Sequence, residues 1–198
     1  MGNESATEWK AEWENNPGIR FSSDTYGRVA FLICRRNFRH GRAQYVRDNV
    51  RIAMEYFRGN VFWAKLAEAS FQVRRHPDTN IDYHHEGDSV AGIKAIVLSF
   101  VGKNAAATEN TPAVDIYVSF DSHPRALAVT NVPGLPDAEN ISISKQKVGY
   151  GQAGSPANIA HEFMHVINYY DEGGYESLPY AVSNAIDSLI KLGIAPDA

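Results

Sequence analysis

Ser155-Pro156-Ala157-Asn158-Ile159-Ala160-His161-Glu162-Phe163-Met164-His165 is the stretch on which the fold turns. Ser155 is a helix N-cap residue, and Pro156 follows at the first helical position, where its missing N–H costs nothing. Ile159, Ala160, Phe163 and Met164, with Val166 and Ile167 beyond, supply the apolar surface of a helix buried in a core. Residues four apart on a helix share a face, so His161 and His165 present both imidazoles to one tetrahedral ion. Glu162 points beside that ion rather than at it, where a general base acting on water belongs. The spacing therefore predicts zinc (Zn2+) held by His161 and His165, with Glu162 as the catalytic base of a hydrolysis.

The segment from Ile159 to Tyr170, H-E-F-M-H followed by apolar and aromatic residues, resembles the active-site helix of the zincin metallopeptidases. The likeness is confined to that segment, and it is specific for the metal site rather than for a substrate. It implies an α+β, zincin-like fold with N-terminal helices, a small mixed or antiparallel sheet, an active-site helix and a C-terminal helix. It further implies peptide-bond hydrolysis, in which zinc activates a water, Glu162 takes its proton and passes it to the leaving amine, and a separate donor steadies the oxyanion. Tyr180, Tyr175 and Tyr150 are the candidate donors, with Tyr180 placed first.

A catalytic zinc keeps three protein ligands and one open position, and Asp171, Glu172 and Glu176 follow the motif. Two courses of the chain are open. If Asn168 ends the helix in a left-handed conformation, the sequence becomes H-E-x-x-H-x-x-N-x-x-D and Asp171 turns back to the metal. That is similar to the short-spaced metzincins, with Asn where they carry Gly and without their later Met-turn. If the helix instead continues through Tyr169 and Tyr170, it breaks at Gly173-Gly174, and a second helix from about Tyr175 to Lys191 returns antiparallel, with Pro179 in its first turn. That course carries Glu176 towards the His pair and, with Tyr180 and Ala181 after it, is similar to the gluzincins. Glu176 is the expected third ligand, ahead of Asp171 and then Glu172.

With 198 residues, 44% of them hydrophobic, the chain can bury one substantial core, so a single domain over residues 1–198 is expected. The net charge of −4 gives the molecule as a whole no general attraction for nucleic acid or anionic membranes. A single cysteine, Cys34, cannot form an internal disulfide. No stretch reaches membrane-spanning length, and the start lacks the pattern of a Sec signal. A soluble protein is expected, either cytoplasmic or exported by a dedicated secretion system.

Along the chain, helices are expected at Ser5 to Trp13, Ala43 to Arg58 and Phe62 to Val73. Strands are expected at Ile93 to Val101, Val114 to Phe120, Ala126 to Thr130 and Asn140 to Val148. Within the last, Ile141-Ser142-Ile143-Ser144-Lys145 alternates as an edge strand would, and such an edge suits an extended peptide substrate. The basic run from Arg35 to Arg42, with Arg47 and Arg51 beyond, reads as a solvated or docking face rather than a nucleic-acid site. His84-His85-Glu86 reads as a loop rather than a second metal site, because adjacent residues point apart.

The function expected is that of a zinc metalloendopeptidase acting on a protein or peptide, in a setting that suits a bacterial toxin or delivered effector and leaves room for an inhibitor or immunity protein. The alternative is a noncatalytic zinc-binding module of zincin fold, against which the intact Glu162 weighs.

Overall fold

The computed structural model describes residues 21–34, 42–73, 89–110, 113–121, 128–130, 140–144, 153–171 and 174–197. The expected helix at Ser5 to Trp13, the His84-His85-Glu86 run, Glu172, Tyr150, Lys145 and Arg35 to His40 lie outside them.

The first described element is a hairpin, in a stretch for which the sequence suggested no element. β1 (Phe21–Tyr26) and β2 (Val29–Cys34) pair antiparallel with Tyr26 opposite Val29. Gly27 opens the two-residue turn at φ +60, a conformation cheap only for glycine at the first central position of such a turn. A Cβ there would also stand 2.4 Å from the carbonyl oxygen of Phe100.

β3 (Val114–Asp121), β4 (Ala128–Thr130) and β5 (Asn140–Ser144) complete a five-stranded mixed sheet in the order β1-β2-β3-β5-β4. β2, β3 and β5 run parallel, while the outer strands are antiparallel to their neighbours. Phe31 and Ile33 of β2, Ile116 and Val118 of β3, and Ile141 and Ile143 of β5 are buried on one face, with half-buried Leu32, Tyr117 and Ser142 alternating on the other. The sheet thus turns one face into the core.

One expectation about this sheet is corrected. Ile141 to Ser144 form an inner strand held between β3 and β4, and β4 is the outermost strand on that side among the described residues. Alternation alone could not decide this, since inner and edge strands of a one-sided sheet share the same period.

Helices α1 (Arg42–Arg58), α2 (Asn60–Ala67), α3 (Val90–Val101), α4 (Pro156–Val166) and α5 (Leu178–Lys191) build the rest of the described core. Val46, Val50, Ala53, Met54 and Phe57 of α1 are fully buried at helical spacing. The rings of Phe57 and Phe31 lie 5.6 Å and 6.3 Å from that of Phe163 on α4, which joins both helices to the sheet. Burying a side chain of that size contributes about 1.5–3 kcal/mol, so Phe163 pins α4 beneath the histidines it carries.

Two further corrections concern helices. Ile93 to Val101, expected as a strand, is helical. A continuous apolar run carries no period by itself, but Ser89 caps the helix by accepting from the Gly92 N–H at 3.1 Å, and buried Ile93, Val97, Phe100 and Val101 follow helical spacing. The helix expected through Val73 ends at Ala67. Beyond it Gln72 is extended and bridges Ser177, its N–H donating to the Glu176 carbonyl at 2.7 Å and its carbonyl accepting from the Leu178 N–H at 3.0 Å. The architecture is α+β, and no helix among the described residues is long and apolar enough to cross a membrane.

Candidate metal centre

Helix α4 begins as its sequence requires. The Ser155 hydroxyl accepts from the Asn158 N–H at 3.2 Å, and Pro156 stands in the first turn. The preceding loop is clamped from α1, where buried Asn49 donates its side-chain amide to the Gly154 carbonyl at 2.9 Å. These contacts set the axial position of the helix, and with it the depth of His161, Glu162 and His165.

The other end decides the third group. α4 stops at Val166, and Asn168 adopts φ +75. The Tyr169 N–H donates to the Met164 carbonyl and the Asn168 N–H to the His165 carbonyl, both at 2.9 Å, which is the paired closure of a Schellman motif with Asn in the left-handed position. Continuation through Tyr169 and Tyr170 does not occur. The chain reverses at once and returns Asp171 to the histidines.

His161 Nε2, His165 Nε2 and Asp171 Oδ2 then form a near-equilateral triangle: 3.2 Å between the nitrogens, 3.2 Å from His161 to Asp171 and 3.3 Å from His165 to Asp171. A tetrahedral ion with bonds of about 2.05 Å separates its ligand atoms by about 3.3 Å, so the spacing is that of one face of such a site. Among the described residues these three are the one group whose donor atoms converge in this way.

Glu176, expected at that position, stands elsewhere. It lies in the exposed 3-10 turn Gly174–Glu176, where its carboxylate accepts from the Gln72 side-chain amide at 3.2 Å. The physical reason is the early reversal at Asn168, which spends the return of the chain on Asp171, five residues sooner.

The surroundings hold each donor in place. His165 Nδ1 lies 2.7 Å from the Tyr169 carbonyl, which can only accept, so Nδ1 carries the hydrogen and Nε2 is left as the donor to a cation. Asp171 Oδ1 accepts from the Ser177 hydroxyl at 2.8 Å, which leaves Oδ2 to face the imidazoles. Ser177 occupies the N-cap position of α5 and is fully buried, yet its side chain makes no capping bond. Its hydroxyl is spent on Asp171 instead. For a cation held by this triangle, Ser177→Ala should weaken binding roughly 10–100-fold while leaving the helical circular dichroism signal unchanged; equal affinity for zinc in a competition titration would sink this role.

Charge favours a dication here. Burial alone would lower the pKa of His165, but the hydrogen bond its protonated ring donates to Asp171 and the charges of Glu162 and Asp171 outweigh it and raise the value. Asp171 is likewise raised by burial, and the two imidazoles more than reverse this, holding its carboxyl well below the usual range. With neutral histidines the site carries two negative charges, on Glu162 and Asp171, and three acceptor atoms within 3.3 Å of one another. A doubly charged cation at their centre balances both.

Glu162 is 4% exposed and does not join the triangle. Its Oε2 accepts from the Thr130 hydroxyl at 2.7 Å. The rings of Tyr180 and His161 pack edge to face, centroids 4.7 Å apart, and that of Tyr175, 83% exposed, lies 5.0 Å from Tyr180. Burial first, then the charges of Asp171, Tyr175 and Glu162, raises the Tyr180 pKa, so its phenol keeps its hydrogen at neutral pH. Of the basic run, Arg47 pairs with Asp24 through two bonds of 2.5 Å and 2.7 Å, and Arg51 with Glu55 at 2.9 Å.

Two residues here carry no motif of their own. Thr130 ends a short strand and Ser177 precedes a Pro-containing helix start, so local pattern identifies the element and not the partner across space. No family model, no curated protein and no solved structure matches the chain.

Proposed function

We propose that this chain is a zinc-dependent metallopeptidase, with His161, His165 and Asp171 as the protein ligands, Glu162 as the general base and acid, and Tyr180 as a hydrogen-bond donor to the oxyanion. The observation that carries the reading is the triangle of three donor atoms at 3.2–3.3 Å with a buried carboxylate beside it. A structural zinc needs a fourth protein ligand and no spare acid. Three convergent donors and an adjacent glutamate suit a catalytic one.

Bound zinc would lower the pKa of a water to about 7 and polarise the scissile carbonyl. The remaining work belongs to the chain. Glu162 accepts a proton from the attacking water as the new C–O bond forms, then gives it to the amide nitrogen as the C–N bond breaks. Burial keeps this carboxylate dry, so bulk solvent does not compete for the proton. Tyr180, protonated and packed on His161, would donate to the developing oxyanion. A peptide is the substrate class supported by the sheet: among the described residues β4 is the edge strand and lies beside α4, and an extended backbone can pair with such an edge.

The test is direct. Purified protein dialysed against zinc and then metal-free buffer should retain one zinc per chain by elemental analysis. It should cleave a denatured protein mixture, lose that activity to a chelator, and regain it on zinc addition. Failure to retain stoichiometric metal would overturn the proposal, and so would retained metal with no cleavage.

A further inference from the structure

We infer that Thr130 is a positioning residue, whose hydroxyl fixes the orientation of the Glu162 carboxylate towards the reacting water; this rests on the peptidase reading above. Thr130 closes β4, where it stands opposite Ile141 of β5. Its Oγ1 lies 2.7 Å from Glu162 Oε2 and 3.3 Å from the backbone carbonyl of the same residue. One hydroxyl has one hydrogen, and the nearer, charged oxygen takes it.

Glu162 needs such a partner. The side chain has three rotatable bonds and almost no contact with solvent, so its direction must be set by protein groups. Helix α4 fixes only where the side chain starts. Thr130 reaches it from the sheet, an independent rigid element, and a β-branched side chain on a strand has few alternatives at χ1. Holding Oε2 leaves Oε1 as the oxygen that exchanges the proton with water and then with the leaving nitrogen. The Thr130 hydrogen stays on its own oxygen throughout, so the residue acts through Glu162.

The arrangement also joins base and substrate. The strand that supplies Thr130 is the outermost of its side among the described residues, and an extended peptide pairing there would have one element align both the scissile bond and the carboxylate that acts on it. Loss of the hydroxyl should then lower kcat and leave KM unchanged, because no contact to the peptide is removed.

The test uses zinc-loaded full chain, with Thr130→Val removing the hydroxyl at constant shape and Thr130→Ser keeping it. Both variants should hold one zinc per chain. On a single peptide that wild type cleaves, Thr130→Val should lose roughly 10–100-fold in kcat at unchanged KM, and Thr130→Ser should recover most of the loss. Wild-type kcat in Thr130→Val overturns the inference, as does an equal loss in Thr130→Ser, which would mark a packing role. A crystal structure of zinc-loaded Thr130→Val gives a second, activity-independent answer: the Glu162 carboxylate should leave its wild-type orientation, and an unchanged position overturns the inference. If zinc-loaded wild type cleaves nothing, the peptidase reading fails, and the crystal comparison still decides what Thr130 does to Glu162.

Discussion

Glu162→Gln should bind zinc as tightly as wild type and cleave peptide roughly 10²–10⁴-fold more slowly, the usual contribution of a positioned acid–base group. The substitution is nearly isosteric and keeps an oxygen able to accept from the Thr130 hydroxyl at the 2.7 Å contact. It removes the basicity on which proton transfer depends. Because Glu162 lies outside the donor triangle, the ligand set is untouched, and the loss should appear in kcat with zinc stoichiometry unchanged. The measurement is paired: elemental zinc per chain and initial cleavage rate for both proteins. Cleavage by the variant at wild-type rate would show that another group moves the proton. A variant that also loses its zinc would show that Glu162 belongs to the metal's own shell.

The parts of this site legible in the sequence are those governed by local rules. His161, Glu162 and His165 follow from helical spacing, and the start of α4 follows from Ser155 and Pro156, because each feature is decided within one or two turns of chain. The third donor was not legible to the same degree. It depends on whether one residue, Asn168, enters the left-handed region, and Asn tolerates that conformation without demanding it. What tips the balance is tertiary: the bridge between Gln72 and Ser177 anchors the returning chain, and buried Ser177 offers Asp171 a hydrogen bond that helix continuation would forfeit.

The same division explains the fold. α1, β3 and the position of β4 were readable from period and turn residues, whereas the apolar run of α3 fits either a buried helix or a buried strand until its neighbours are known. The β1–β2 hairpin was missed because its one turn signal, Gly27, follows a strand with little apolar alternation. Thr130 and Ser177 lie 32 and 6 residues from the groups they hold, and only the folded sheet and the loop reversal bring them there.

Asp171→Ala should cost zinc affinity by more than a hundredfold, beyond the roughly 10–100-fold typical of groups that only orient a ligand, whereas Glu176→Ala should leave it unchanged. The two acids lie five residues apart in one loop and carry the same charge, so the comparison removes long-range electrostatics as an explanation. What differs is geometry. Asp171 Oδ2 is 3.2 Å and 3.3 Å from the two Nε2 atoms and is oriented through Oδ1 by Ser177, while the Glu176 carboxylate is exposed and engaged by Gln72. Deleting Asp171 also leaves two imidazole nitrogens 3.2 Å apart with no anion opposite them, which favours their mutual separation over convergence on an ion. Competition titration against a chelator of known affinity measures both variants on one scale. If Glu176→Ala is the variant that sheds its metal, the chain takes the longer course in the zinc-bound protein, the helix runs on past Asn168, and the ligand set proposed here is wrong at its third member.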